Sequence, residues 1–320
     1  MAPVLTMKKL RIAYFGSPDF SASFLEKLLS EPYLKNIIDV GFVVTQPDRP
    51  AGRKQLITST PVKQIAKKYD LDVLEIDSLK IEDSLKISNL KLKISKCDIC
   101  LVYAYSAIIP ADFLALPALG FWCIHPSLLP KYRGTSPMAT ALINGDKTTG
   151  MTIIKMDADI DHGPIIAQES LSILNTDYRT DLERKLTDIG FSLFKKQVTL
   201  LTSSRVNELK KTREPVNPLT LKPQIDKDAT YTKKLTKQDG FIDFENFKLK
   251  IENSSEELYN LFRGLYPWPG LWTLLPNGKR LKIISLELSN LKTLKLLKVQ
   301  LEGKNEVDFE TFKKGYPEVF

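Results

Sequence analysis

Histidine is nearly absent from this 320-residue sequence, with two in all, and cysteine is scarce at three. An odd handful of cysteines in so long a chain supplies no disulfide framework. Cys97 and Cys100 form a CxxC, open to a zinc or redox reading, but no second CxxC and no histidine lies near them. They sit in Cys-Asp-Ile-Cys-Leu-Val-Tyr-Ala-Tyr, an apolar run of the kind that forms a buried central strand, so core packing is their expected role. No stretch approaches the ~20 apolar residues of a membrane-spanning helix. Met1 to Leu10 has neither a long apolar core nor a cleavage-site pattern, so no signal peptide is expected. A reducing cytoplasm fits this cysteine usage. No internal repeat is found.

What the sequence does have is an ordinary apolar share of 43%, suited to a globular protein with a sizeable core. Its length favours two domains. Lysine and arginine exceed aspartate and glutamate by 46 to 38, a formal charge of +8. That balance is compatible with a polyanionic partner but does not require one.

Leu10 to Phe15 is an apolar strand that ends at Gly16-Ser-Pro-Asp19. Phe20, Phe24, Leu25, Leu28 and Leu29 follow at helical spacing. This opening has the outline of a nucleotide-binding unit, but a dinucleotide fingerprint needs three glycines and only one is present. Further strands are expected at Val40 to Thr45, Asp72 to Ile76, Cys97 to Ala104, Phe121 to His125, Thr152 to Met156 and Ile165 to Ser170. Helices near Lys80 to Ile94, Ala111 to Leu116, Pro137 to Ile143 and Leu182 to Leu201 alternate with them. Such alternation predicts a mostly parallel, Rossmann-like α/β sheet over residues 1–204. Prolines and charges dominate from about Ser203 to Thr230, so 205–229 reads as a linker. Short strands around Gly240 to Phe244, Leu271 to Leu275, Leu281 to Leu288 and Leu294 to Leu301, with a helix from Ser255 to Leu265, predict a small β domain over 230–320.

Three stretches have the composition of a site. Gly120-Phe-Trp-Cys-Ile-His-Pro-Ser-Leu-Leu-Pro-Lys-Tyr-Arg-Gly134 reads as a strand that runs into a loop stiffened by two prolines. Cys123 and His125 are two apart, so they share one face of that strand. His125 is open to two readings, a buried imidazole satisfied by a carbonyl or a catalytic group at a strand exit. Gln46-Pro-Asp-Arg-Pro-Ala-Gly-Arg-Lys54 places Arg49, Arg53 and Lys54 on a segment too long for a tight turn. It is either a solvated surface loop or a basic finger that touches phosphates. The third, Asp157-Ala-Asp-Ile-Asp-His-Gly163, lacks the full calcium-loop pattern. A single carboxylate beside His125 is its better functional reading.

His125-Pro-Ser-Leu-Leu-Pro-Lys-Tyr-Arg-Gly134 together with Asp161-His-Gly-Pro-Ile-Ile166 resembles the formyltransferases that use 10-formyltetrahydrofolate. Phe15-Gly-Ser-Pro-Asp-Phe20 and Thr45-Gln-Pro-Asp-Arg-Pro-Ala-Gly-Arg53 narrow the resemblance to the methionyl-tRNA formyltransferase family. Tyr266-Pro-Trp-Pro269, Leu301-Glu-Gly-Lys304 and Phe312-Lys-Lys-Gly-Tyr316 extend it over nearly the whole chain. The resemblance implies an OB-like barrel for the C-terminal domain, with 10-formyltetrahydrofolate as formyl donor and initiator methionyl-tRNA as acceptor. A monomer with no metal and no membrane association is expected. It also implies folate binding at Ser127, Leu128, Leu129 and Pro130, and catalysis by an Asn-x-His pair and an aspartate. His125 and Asp161 occupy the matching positions, and the asparagine position holds Cys123. Trp122 and Ser106 depart from the family's usual smaller aliphatic residue and glycine.

The expected chemistry is attack of a primary amine on the formyl carbon. His125 suits proton transfer because its ordinary pKa lies near neutrality. Asp161 would orient that imidazole or hold a water in a relay. An asparagine amide would donate to the developing oxyanion, whereas a thiol is a weak donor. Losing one such donor costs on the order of 3 kcal/mol, unless a backbone N–H or a water compensates. A bolder alternative makes Cys123 a nucleophile that carries the formyl group as a thioester. Two further functions remain open: a sugar-nucleotide or other amine N-formyltransferase, and a folate- or tRNA-binding homologue of low activity.

Overall fold

The computed structural model describes residues 9–52, 55–79, 84–210, 219–253, 255–289, 293–317 and 319. By their internal packing they form two compact units. The first consists of the chain up to Arg133 with Gly150–Leu171 and Arg184–Thr230.

Seven apolar runs make one sheet: β1 (Leu10–Gly16), β2 (Ile38–Thr45), β3 (Val73–Glu75), β4 (Ile99–Tyr103), β5 (Phe121–His125), β6 (Thr148–Lys155) and β7 (Ile165–Ser172). Their order is β7-β6-β5-β4-β1-β2-β3. The stretch β3-β2-β1-β4-β5 is parallel, the doubly wound pattern of Rossmann-like folds. β6 then runs antiparallel to β5.

Parallel strands are stable only with both faces covered. On one face Phe24 of the helix Asp19–Ser30 meets Tyr103, and Trp122 meets Phe194 of the helix Arg179–Lys210. Cys97 and Cys100 are buried on the other face, in a cluster with Phe15, Phe42, Leu90 and Phe113. Gly16 explains the lone glycine of the first turn. A Cβ there would lie 2.0 Å from Ser21 Oγ and 2.8 Å from the Tyr103 carbonyl. The turn is tight because chain packs on chain, and needs no dinucleotide to account for it.

Several boundaries differ from expectation. The last long helix runs Arg179–Lys210. The Gln46–Lys54 segment enters a hairpin, with Arg49–Ala51 antiparallel to Leu56–Thr58. Part of the expected linker 205–229 is not a free tether. Residues 205–210 continue the helix, and Lys222 pairs as an antiparallel bridge with Ile165 at the start of β7. Residues 211–218, like Lys80 at the head of another expected helix, lie outside the described residues.

The second unit, Gly134–Thr149, Ser172–Glu183 and Tyr231 onward, supplies the small β domain. Its sheet has four antiparallel strands among the described residues: Leu271–Leu274, Arg280–Leu288, Leu294–Leu301 and Glu306–Asp308. Phe247, Leu258, Phe262, Leu281 and Val299 fill its core. The strand expected at Gly240 to Phe244 is absent. Thr236 and Asp239 form a reciprocal cap that starts a 3-10 turn at Lys237–Gly240, and a helix begins at Phe244. Only Phe241 still pairs, in a single bridge to Trp272.

Candidate active site

The site grows from β5. Aromatic and branched side chains favour an extended chain here, and alternation turns Trp122 and Ile124 to one face and Cys123 and His125 to the other. Cys123 packs against Leu129, Ile154 and Ile165. At Pro126 the chain leaves the sheet. Ser127 N–H donates back to the His125 carbonyl at 2.9 Å, and its hydroxyl donates to the Lys131 carbonyl at 2.6 Å. Within this loop Leu129–Pro130 is a cis peptide.

One side chain from the neighbouring strand holds the loop in place. Thr152 pairs with His125 across the β5–β6 ladder and is fully buried. Its hydroxyl donates to the Ser127 carbonyl at 2.6 Å and accepts from Leu129 N–H at 3.2 Å. Gln168 Nε2 donates to that hydroxyl at 2.8 Å and to the Leu129 carbonyl at 3.0 Å. Of the four residues expected to meet folate, Ser127 and Leu129 are buried, and Leu128 and Pro130 are half-buried. Ser127 therefore uses its hydroxyl to brace the loop. A threonine inside the apolar run Met-Thr-Ile-Ile was the available signal for Thr152. Gln168 gave none.

Asp161 arrives from the acidic loop after β6. Its backbone is left-handed, with φ at 50°, which costs a non-glycine residue roughly 1–2 kcal/mol. Two residues on, Gly163 lies against β6, where a Cβ would come 1.9 Å from the Lys155 carbonyl. The Asp161 carboxylate faces the β5 pair: Oδ2 is 3.4 Å from His125 Nδ1, and Cys123 Sγ donates to Oδ1 at 3.9 Å. His125, 4% exposed, has its Nε2 2.9 Å from the Tyr132 carbonyl. Both of its ring nitrogens thus lie near oxygen acceptors. Burial pushes the Cys123 thiol well up, and the neighbouring Asp161 charge adds to the shift.

The Asp157 carboxylate turns elsewhere. Asp157 accepts from Asp159 N–H at 3.1 Å and meets His162 Nδ1 at 2.6 Å. His162 Nε2 is 3.4 Å from Asp226, and these carboxylates hold the imidazole above its ordinary pKa. Among the described residues no group of His, Cys, Asp and Glu is placed to hold a metal ion.

Arg49 stands in the exposed hairpin, with Nη2 paired to Asp77 and 3.2 Å from Gln46 Oε1. Arg53 and Lys54, expected beside it, lie outside the described residues. Below the hairpin a buried Lys63 ammonium joins Asp48 at 2.8 Å and Glu75 at 2.5 Å.

Comparison with known proteins agrees with these features. Residues 10–198 match the formyl transferase family, and 234–295 match the formyl transferase C-terminal domain. A methionyl-tRNA formyltransferase of Caldicellulosiruptor saccharolyticus is 33% identical, over 95% of this chain and 96% of its own length. Its counterpart in a Roseiflexus species is 40% identical, over 86% of this chain and 76% of its own. Among solved structures, the sugar 3N-formyl transferase WlaRD superposes with a TM-score of 0.61 at 18% identity, covering 93% of this chain and all of its own. A likeness that distant shows the shared fold, while the sequence relatives give the branch. The chain belongs to the methionyl-tRNA formyltransferase family.

Proposed function

We propose that this chain transfers the formyl group of 10-formyltetrahydrofolate to the α-amino group of methionine on initiator methionyl-tRNA, acting as a cytoplasmic monomer. The observation that supports the site most is the meeting of His125 and Asp161 at 3.4 Å beside the braced 127–130 loop. In this reading Ser127 to Pro130 wall the folate. The amine attacks the formyl carbon, a C–N bond forms, and the carbonyl electron pair moves onto oxygen. The amine's surplus proton passes to His125. The same imidazole returns a proton to N10 of the folate as the C–N10 bond breaks, so the proton count closes. Asp161 holds the ring in place.

Cys123 has no covalent role here. A thiol held protonated by burial and a nearby carboxylate is a poor nucleophile, and its S–H donates to Asp161. Arg49, Arg53 and Lys54 are assigned to the tRNA backbone. That basic segment and relatives that match nearly the full length favour this acceptor over a sugar nucleotide.

The direct test is transfer of labelled formyl from 10-formyltetrahydrofolate to methionyl-tRNA, with an amino-sugar nucleotide as the competing acceptor. Formyl-methionyl-tRNA alone is the expected product. Formylated sugar, or no product at high enzyme concentration, would overturn the reading. Because an amide is the stronger donor, Cys123→Asn is expected to raise kcat by about 10²-fold. A fall in kcat would instead give the thiol a positive role.

A further inference from the structure

Residues 222–230 bind both loops of the site. Lys222 exchanges backbone hydrogen bonds with Ile165 at 2.8 and 2.9 Å. Thr230 accepts from Tyr132 N–H through Oγ1 at 2.8 Å and from Arg133 N–H through its carbonyl at 2.8 Å. Between them, Gln224 Nε2 donates to the carbonyls of Asp161 and Gly163, each at 2.8 Å. Both available amide protons are therefore spent on the turn that holds the left-handed Asp161.

The direction of that amide is fixed from the other side. Arg133, 2% exposed, donates to Gln224 Oε1 from Nε at 3.1 Å and from Nη2 at 2.9 Å. Nη2 also meets Asp226 at 2.8 Å. A guanidinium has no acceptor, so the amide oxygen must face Arg133 and the nitrogen must face the two carbonyls. A flipped amide would set N–H against N–H and oxygen against oxygen. The arrangement is a clasp: Arg133 follows the loop after His125, Asp161 sits on the other loop, and Gln224 joins them.

We infer that Gln224, oriented by Arg133, is a positioning residue for formyl transfer, holding the Asp161 carboxylate on His125. The inference rests on the reading of Asp161 given above. Released from the clasp, a residue in a strained backbone region relaxes, and a displacement near 1 Å at a reacting centre can cost ~10²-fold in rate.

The test is a double-mutant cycle between Gln224 and Asp161, with kcat and both KM values measured. Gln224→Met keeps the length and removes the donors. It is expected to lower kcat roughly ten- to hundredfold while both KM values stay within about twofold. In an Asp161→Asn background the same change should cost under about twofold more, because the residue it acts through is already disabled. Gln224→Glu also lacks the N–H donors but keeps a partner for Arg133. It carries the test if the methionine variant does not fold, and should show the same kcat loss. Unchanged kcat in the Gln224 variants, or an equal loss in both backgrounds, would overturn the inference. Normal turnover by Asp161→Asn alone would be a different failure, that of Asp161's own role.

Discussion

The loop after His125 and the hairpin at Arg49–Thr58 both carry proposed substrate contacts, yet they are built in opposite ways. The first is short, closed on itself and largely buried, with its backbone polar groups met by Thr152, Gln168 and Thr230. The second projects Leu56 and Ile57 at 64% and 69% exposure. Its arginine is tied to Asp77 by a surface pair that water and salt weaken. At the root of the hairpin Lys63 bridges Asp48 and Glu75. Reaction at a formyl carbon tolerates little positional error, whereas a large polyanion can be met by side chains that adjust on contact.

The contrast is open to attack in four ways. His125→Ala removes the proposed proton carrier and should lower kcat about 10³-fold with folding intact, as single-turnover kinetics and circular dichroism will read. A loss below tenfold would shift the chemistry elsewhere. Thr152→Val strips the brace from the loop. It should raise the formyl-donor KM several-fold and cost about 1–3 kcal/mol in a urea titration, because buried partners lose their hydrogen bonds. Arg49→Ala should raise the KM for methionyl-tRNA about three- to tenfold and leave that for the formyl donor alone. The defect should shrink as salt rises. Equal effects on both substrates would count against the hairpin's separate role.

The smallest effect belongs to His162. Its pKa is raised by Asp157 and Asp226, so its stabilising contribution is full below the unfolded value near ~6.5. The contribution fades as pH rises through the folded value. His162→Asn should therefore lower Tm slightly at pH 5.5 and leave it unchanged at pH 8.5. An equal shift at both would mean the ring matters for packing alone.

Much of the first unit was legible because periodicity reports burial. β1, β5 and β7 begin where their apolar runs begin, and Pro137 opens the helix expected there. His125 drew notice through its placement at a strand exit, and the family resemblance picked out Asp161 from its acidic loop. Local signals fail where a distant partner decides the structure. Gln224 looks like any polar residue in a proline-rich stretch, and its meaning comes from a guanidinium 91 positions earlier. The Gly240 to Phe244 error has the opposite cause. A nearby Thr–Asp cap outcompetes the strand pattern, and caps are readable only when looked for.

The clasp on Asp161 also sets an order of assembly during synthesis. A nascent chain that has only just exposed β7 holds its sheet strands, His125 and Asp161, but lacks Gln224 and Thr230. It must extend past the long helix and return before the two loops are joined. Half-made chains thus carry His125 and Asp161 without the hydrogen bonds that residues 222–230 supply to their loops.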